Sequence, residues 1–209
     1  MKKMLFSIML LVFASTAFAS VDIIDYTNLV DNNGIMYAKD SDEPFSGRAV
    51  SSYPDARQQY EAYYKDGQKD GVSTMWYQNG QRSSKTNYKD GKLDGHSQQW
   101  YSNGVKEFDE LYIDGKQNGL DTKWYENSRI ESESSYKDSK LEGKTTIWYK
   151  NGRKRSEENY SNDRANGLKT VWYKNTQKKS ETNYKNGVKS GYQIEWFKDG
   201  RKRSEKNIN

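Results

Sequence analysis

Six tryptophans, Trp76, Trp100, Trp124, Trp148, Trp172 and Trp196, stand 24 residues apart, and the chain has no others. An aromatic follows each: Tyr77, Tyr101, Tyr125, Tyr149, Tyr173 and Phe197. A tyrosine column (Tyr64, Tyr88, Tyr112, Tyr136, Tyr160, Tyr184) and a glycine column (Gly71, Gly95, Gly119, Gly143, Gly167, Gly191) keep the same period, with no insertion from Tyr64 to Asn207. A fixed period of this length marks a repeat architecture, in which each unit buries its surface only against its neighbours. An earlier, degenerate unit holds Gly47 and Tyr53, with Ser52 where tryptophan would stand and Asp55-Ala56 at the turn. Terminal units of such arrays depart from the pattern because they cap the stack.

Each unit reads as a β-hairpin. In the first full one, Gly71 to Gln78 is a strand candidate, Asn79-Gly80 a two-residue turn signal, and Gln81 to Tyr88 the return strand. Asn-Gly suits a type I′ turn, whose two central residues both need φ > 0. Asn103-Gly104, Asn151-Gly152 and Asp199-Gly200 repeat the signal, while Asn127-Ser128 and Asn175-Thr176 depart from it and imply looser tips. Asn33-Gly34 suggests one more hairpin in the cap. Hairpins joined by Gly-bearing turns predict an all-β fold. It is an elongated antiparallel meander in a single layer, with at least twelve strands from Tyr64 to Asn207 and almost no helix. Period-2 alternation places Trp76 with Thr74 and Val72 on one face, and Tyr77 with Met75 on the other. The tryptophan column is the expected repeat core, as aromatic rows spaced about 9.5 Å, two strands apart.

Composition explains why the layer should be thin. Only 33% of residues are hydrophobic, yet 14% are Phe, Trp or Tyr, and mean hydropathy is −1.20. Each buried aromatic removes about 150–250 Å² from water, so aromatics must supply what apolar burial there is. There is no cysteine, so no disulfide contributes.

Residues 1–19 read as a secretory signal. Lys2 and Lys3 form a basic n-region, Met4 to Phe13 an apolar run, and Ala17-Phe18-Ala19 a small-x-small cleavage site. The run is shorter than the roughly 20 residues of a membrane span. The expected organisation is therefore a signal peptide at 1–19, an N-terminal cap with the degenerate first repeat at 20–63, and six repeats at 64–209. The expected location is periplasmic or secreted, with no transmembrane span after cleavage following Ala19.

The motif Tyr-Lys-Asp-Gly-Lys-Leu-Asp-Gly at 88–95 is followed by Trp100-Tyr101-Ser102-Asn103-Gly104, and the pattern recurs at 136–143 and 148–152. Together with Glu43-Pro44-Phe45-Ser46-Gly47, it resembles the bacterial variant of the MORN repeat over roughly residues 37–207. The resemblance implies a non-enzymatic scaffold. Many bacterial members are described as antitoxin components of toxin–antitoxin modules, and other MORN proteins as scaffolds or membrane-lipid binders.

Catalytic groups are scarce. The single histidine, His96, occupies a slot that elsewhere holds Val72, Leu120, Lys144, Leu168 and Tyr192, and reads as incidental. Asp66/Asp70 and Asp90/Asp94 offer calcium or a carboxylate pair, but turn chemistry explains them better, since the same slots hold Asp114/Asn118 and Asn186/Ser190. The chain is expected to be non-enzymatic, with no catalytic residues, cofactor or metal.

Charge supplies the candidate binding site. Residues 20–143 carry 15 Lys/Arg against 22 Asp/Glu, a net of −7, and residues 144–209 carry 17 against 7, a net of +10. Arg82, Lys106, Lys154, Lys178 and Lys202 share one repeat position, with Ile130 breaking the column. In the last repeats the column widens to Arg153-Lys154-Arg155, Lys178-Lys179 and Arg201-Lys202-Arg203, and these eight residues form the expected partner-binding stripe. Its partner is expected to be an acidic protein, with an anionic lipid or glycan as the alternative. Nucleic acid is disfavoured by export and by a pI of only 9.0.

Overall fold

A computed structural model describes residues 22–208; the expected signal peptide lies outside the described residues. From Gly47 to Ile208 the backbone runs as one antiparallel meander. Within the repeats the strands are Gln68–Trp76, Arg82–Lys89, Lys92–Trp100, Lys106–Ile113, Lys116–Gln117 with Gly119–Trp124, Ile130–Lys137, Lys140–Trp148, Lys154–Ser161, Arg164–Ala165 with Gly167–Trp172, Lys178–Lys185, Val188–Trp196 and Lys202–Ile208. Two of these twelve strands are interrupted, at Asn118 and Asn166, whose N–H groups still donate across the ladder to Leu111 and Asn159 at 2.8 Å. The cap adds Ile23–Asp25, which pairs parallel with Gly47–Ser52, a single-turn 3₁₀ segment at Tyr26–Asn28, and the hairpin Leu29–Asn32/Ile35–Ala38. Among the described residues there is no α-helix, and no helix long and apolar enough to cross a membrane.

The type I′ turn expected at the Asn-Gly tips is found at the other edge instead. At the Asn-Gly tips only the glycine has positive φ: Gly80 lies at 83°, and Asn79 is absent from the positive-φ residues. The Gly80 N–H donates to the Tyr77 carbonyl at 2.8 Å and the Tyr77 N–H to the Gln81 carbonyl at 2.7 Å. This is a type I turn closed by a left-handed residue, a three-residue loop rather than a type I′ turn. The type I′ turns lie at the opposite edge, where Asp66-Gly67 (48° and 75°) and Asp90-Gly91 (47° and 75°) both have positive φ. Asn33-Gly34 in the cap has the same form, at 52° and 86°, as the sequence suggested. The Asn127-Ser128 and Asn175-Thr176 tips are not looser. Ser128 and Thr176 take φ of 65° and 76°, and their N–H groups make the same bond to Tyr125 and Tyr173, at 2.9 Å. Thr176 is a β-branched residue in a region such residues avoid.

Both edges are stitched from repeat to repeat. At the tips, each latch tyrosine hydroxyl donates to the carbonyl of the next repeat's tryptophan. Tyr53 reaches Trp76 at 2.8 Å, Tyr77 reaches Trp100 at 2.6 Å, Tyr101 reaches Trp124 at 2.9 Å, Tyr125 reaches Trp148 at 2.7 Å, Tyr149 reaches Trp172 at 2.8 Å, and Tyr173 reaches Trp196 at 3.0 Å. Tip asparagines work in both directions: Asn79 Oδ1 accepts from the Gln81 N–H while its Nδ2 donates to the Ser102 carbonyl. At the other edge the Gly91 N–H donates to the Lys69 carbonyl at 2.9 Å and the Gly115 N–H to the Leu93 carbonyl at 2.7 Å. Each rung uses a group that a lone hairpin leaves to water, so the units hold one another's turns.

The glycine column marks β-bulges. Ala62 pairs with Ser73 but Tyr64 with Lys69, so Tyr63 alone faces three residues that include Gly71. Gly71 has φ of 112°, and a Cβ there would approach the Tyr63 Cβ to 3.2 Å. A second bulge lies beside each tryptophan, as between Met75 and Trp76. Paired bulges sharpen local twist and reset which residues face which way.

Conventional apolar burial is confined to the cap. Phe45, Ala49, Tyr60, Ala62 and Tyr64 form the buried cluster, with Ile24, Leu29 and Met36 packed against it. Gly67 seats the cap hairpin on the first type I′ turn: the Met36 N–H donates to its carbonyl, and a Cβ would collide with Ile35 and the Met36 backbone. Beyond the cap, buried positions are polar, including Thr122, Thr146, Thr170 and Glu158.

Two substitutions test the ladder. Tyr125→Phe removes one rung in mid-array and should cost about 1 kcal/mol in a urea melt, without changing the strand signature in circular dichroism. Thr176→Gly relieves a β-branched residue from the left-handed region and should stabilise by about 1 kcal/mol in the same melt.

Candidate functional site

The tryptophans are half-buried, and none belongs to the buried cluster. The expected stack of aromatic rows is corrected by what lies between them. The return strand between two tryptophan strands places its basic residue in the gap: Arg82 pairs with Trp76 in register and its guanidinium lies over the Trp100 ring at 5.4 Å. Lys106 lies over Trp124 at 5.5 Å, Lys154 over Trp172 at 5.9 Å and Lys178 over Trp196 at 5.8 Å. Rings two strands apart are too distant to touch, and a cation over a ring face fills that gap favourably. The row therefore alternates indole and cation, except between Trp124 and Trp148, where Ile130 takes the cation's place.

The same lysines bind carboxylates three residues on. Lys106 meets Asp109 at 2.8 Å, and Lys154, Lys178 and Lys202 meet Glu157, Glu181 and Glu205 at 2.6 Å. The bulge beside each tryptophan makes this possible, because it puts residues three apart on one face. The acidic residues alternate across the strands with buried Thr122, Thr146 and Thr170. In the sequence Glu157, Glu181 and Glu205 follow the basic column closely and suggest charge pairing, but strict two-residue alternation would put them on the other face; the bulge brings them onto the lysines.

Electrostatics follow from the pairing. Bonds from Lys144 and then Lys154 hold the Glu157 carboxyl below the usual carboxylate range. For Asp109, burial alone would raise the pKa, but bonds from Lys106, Gln98 and His96 outweigh it and leave it lowered. His96, read as incidental, thus makes a contact of 2.7 Å to Asp109 through Nδ1. Asp66 and Asp90 are the first residues of type I′ turns, and the Asp90 N–H donates to Asp70 at 3.3 Å.

The expected partner-binding residues separate into two groups. Lys154, Lys178 and Lys202 are engaged with glutamates, and the first two also with indoles. Arg153 donates to the Lys174 carbonyl at 2.8 Å, and Arg201 bonds Asp199 at 2.8 Å. Arg155, Lys179 and Arg203 form a separate, exposed column near the latch tyrosines. Lys179 lies over Tyr173 at 5.9 Å, and Arg203 over Phe197 at 5.7 Å with only a 4.0 Å approach to Glu195. The same slot earlier in the array holds Glu107 and Glu131, so this column inverts its charge between residues 131 and 155.

On the opposite face, the strand register brings two carboxylates side by side. Asp121 is 7% exposed, its Oδ1 has no partner, and burial followed by the neighbouring Glu110 raises its pKa. Its Oδ2 accepts only a long 3.4 Å bond from Gln117. Two repeats on, the same two positions hold Glu158 and Lys169, joined at 2.8 Å.

The chain is thus a single-layer β-hairpin repeat protein, with alternating cations and indoles along one face. Its repeats are of a known kind: residues 69–90 and 141–162 match the MORN repeat variant, which supports a MORN-repeat protein. No curated protein matches the chain.

Asp121→Asn tests the carboxylate pair. An acid whose pKa is raised by folding weakens the fold above that pKa, and the penalty disappears as pH falls toward the unfolded value. The variant should therefore be more stable by about 1 kcal/mol at neutral pH. Melts at successively lower pH should show the gain fading as wild-type Asp121 takes up its proton.

Proposed function

We propose that the protein is an exported, non-catalytic scaffold that binds an acidic protein partner along its C-terminal repeats, as an immunity or antitoxin-like component would. The observation that carries this reading is the exposed column Arg155, Lys179 and Arg203. Its spacing is fixed by the ladder, and it lies beside basic residues already committed to the fold. Fixed spacing lowers the ordering cost of binding, and clustered cations steer an acidic surface into place. Export rests on the signal pattern of residues 1–19. The MORN repeat matches fit a scaffold. A second reading, an anionic lipid or glycan surface as ligand, draws on the exposed Phe197, whose ring lies under Arg203.

The test uses wild type and the triple variant Arg155→Glu, Lys179→Glu, Arg203→Glu, which leaves the Lys–Glu pairs intact. Wild-type protein on beads should retain a defined envelope protein, with binding that weakens as salt is raised and is lost in the triple variant. Reversal of Lys65 and Lys89, in the acidic half, should leave it unchanged. Retention on phosphatidylglycerol vesicles without a protein partner supports the second reading, and retention unaffected by the triple reversal overturns the site.

A further inference from the structure

The repeat supplies an internal standard: a residue that every unit shares is accounted for by the fold, and a departure needs another reason. Several departures converge at the junction of the cap with the first repeats. The position of Tyr60 is phenylalanine at 108 and serine at 84, 132, 156, 180 and 204, so no other repeat carries a ring hydroxyl there. Met75, 47% exposed, stands where the next two repeats have Gln99 and Lys123, and later ones Ile147, Val171 and Glu195. Lys69 stands where the following units have Leu93, Gln117, Leu141 and Ala165, and lysine returns only at Lys189, far from the cap. With Tyr26 from the 3₁₀ segment and the latch residues Tyr53 and Tyr77, these three line an open hollow of about 470 Å³.

The hollow is built to offer ring faces. The Tyr53 and Tyr77 hydroxyls are committed to the carbonyls of Trp76 and Trp100, and the Tyr60 hydroxyl bonds that of Tyr64 at 3.0 Å. Tyr26 stands edge-on to Tyr60, with ring centroids 4.8 Å apart. These contacts hold the rings in place before any ligand arrives. Lys69 is the single charged residue of the lining. Its ammonium lies 5.7 Å from the Tyr60 ring centroid and 5.0 Å from that of Tyr88, and it meets no carboxylate among the described residues. Burial holds its pKa below the usual lysine range. Ser51, Gln59 and Ser83 supply hydroxyl and amide groups to the same lining.

We propose that this hollow binds a sugar unit bearing a carboxylate, with its pyranose ring stacked on the tyrosines and its carboxylate on Lys69. Flat ring faces suit the C–H face of a pyranose, and a half-buried ammonium without a counter-ion suits a single anion. The polar residues of the lining suit the remaining hydroxyls. An acyl chain matches none of the polar features, and a large anion would meet Asp31 and Asp90, which line the adjoining hollow beyond Lys69. The site lies at the opposite end of the array from Arg155, Lys179 and Arg203, so it does not depend on the proposed protein partner.

Titration calorimetry of the full chain with digalacturonic acid and with neutral digalactose tests the assignment. Digalacturonic acid should bind at least tenfold more tightly than the neutral sugar, and Lys69→Gln should abolish that difference. Met75→Gln, which installs the side chain the next repeat carries at Gln99, should weaken both sugars in a protein with wild-type melting. Failure of digalacturonic acid to bind, or equal binding of the two sugars by wild type, overturns the proposal. So does Lys69-dependent binding of N-acetylphenylalanine in preference to digalacturonic acid, which assigns the hollow to a peptide carboxylate.

Discussion

The hydrogen bond from a tip tyrosine to the carbonyl of the next tryptophan sets the terms for the rest of the molecule. Backbone pairing joins neighbouring strands everywhere, but a flat sheet of pairs could slip in register. A side-chain donor that reaches exactly one unit forward, from Tyr53 to Trp76 and onward to Trp196, permits only a 24-residue step. Everything with that period, including the indole–cation row and the Lys–Glu pairs, is then in register from unit to unit. The latch position of the sixth repeat differs in its chemistry. Phe197 has no hydroxyl to donate, and Asp199, in place of asparagine, is bonded by its own Arg201.

A single layer has no interior in which to hide apolar groups, so its stability rests on edges and on shared faces. The small apolar cluster under the cap gives the array one anchored end. Further along, threonines buried between acidic side chains, and lysines lying over indoles, do what aliphatic residues do in a two-layer fold. This also explains why so many charges coexist: most of the basic column is neutralised locally by glutamates three residues on, and the column that is not so neutralised changes sign along the array.

The meander, the strand number and the cap hairpin at Asn33-Gly34 were legible in the sequence because they depend on period and turn residues alone. The turn types were not. Asn-Gly and Asp-Gly both favour positive φ, and only the bond from the Gly80 N–H to the Tyr77 carbonyl makes the tip a three-residue loop. The role of the tryptophans was half legible: their column was plain, but two-residue alternation misplaces every residue beyond a bulge. For the same reason the sequence alone could not decide whether Lys154, Lys178 and Lys202 bind a partner or pair with the glutamates that follow them. The cap hollow was hidden because Tyr60, Lys69 and Met75 are unremarkable one at a time and meet only through the register of the first strands with the Tyr26 segment.

The one-way sense of the tyrosine rungs has a consequence for how such a chain can change in length. Every internal unit brings one acceptor facing back and one donor facing forward. Cutting out a unit, or copying one, at the same point of the period leaves every remaining donor with an acceptor. Each such step lengthens or shortens the ladder by two strand widths, about 9.5 Å, and moves the cap hollow and the basic column apart or together by that amount. The molecule is in this sense a ruler graduated in hairpins, on which the distance between the cap hollow and the basic column is set by counting units.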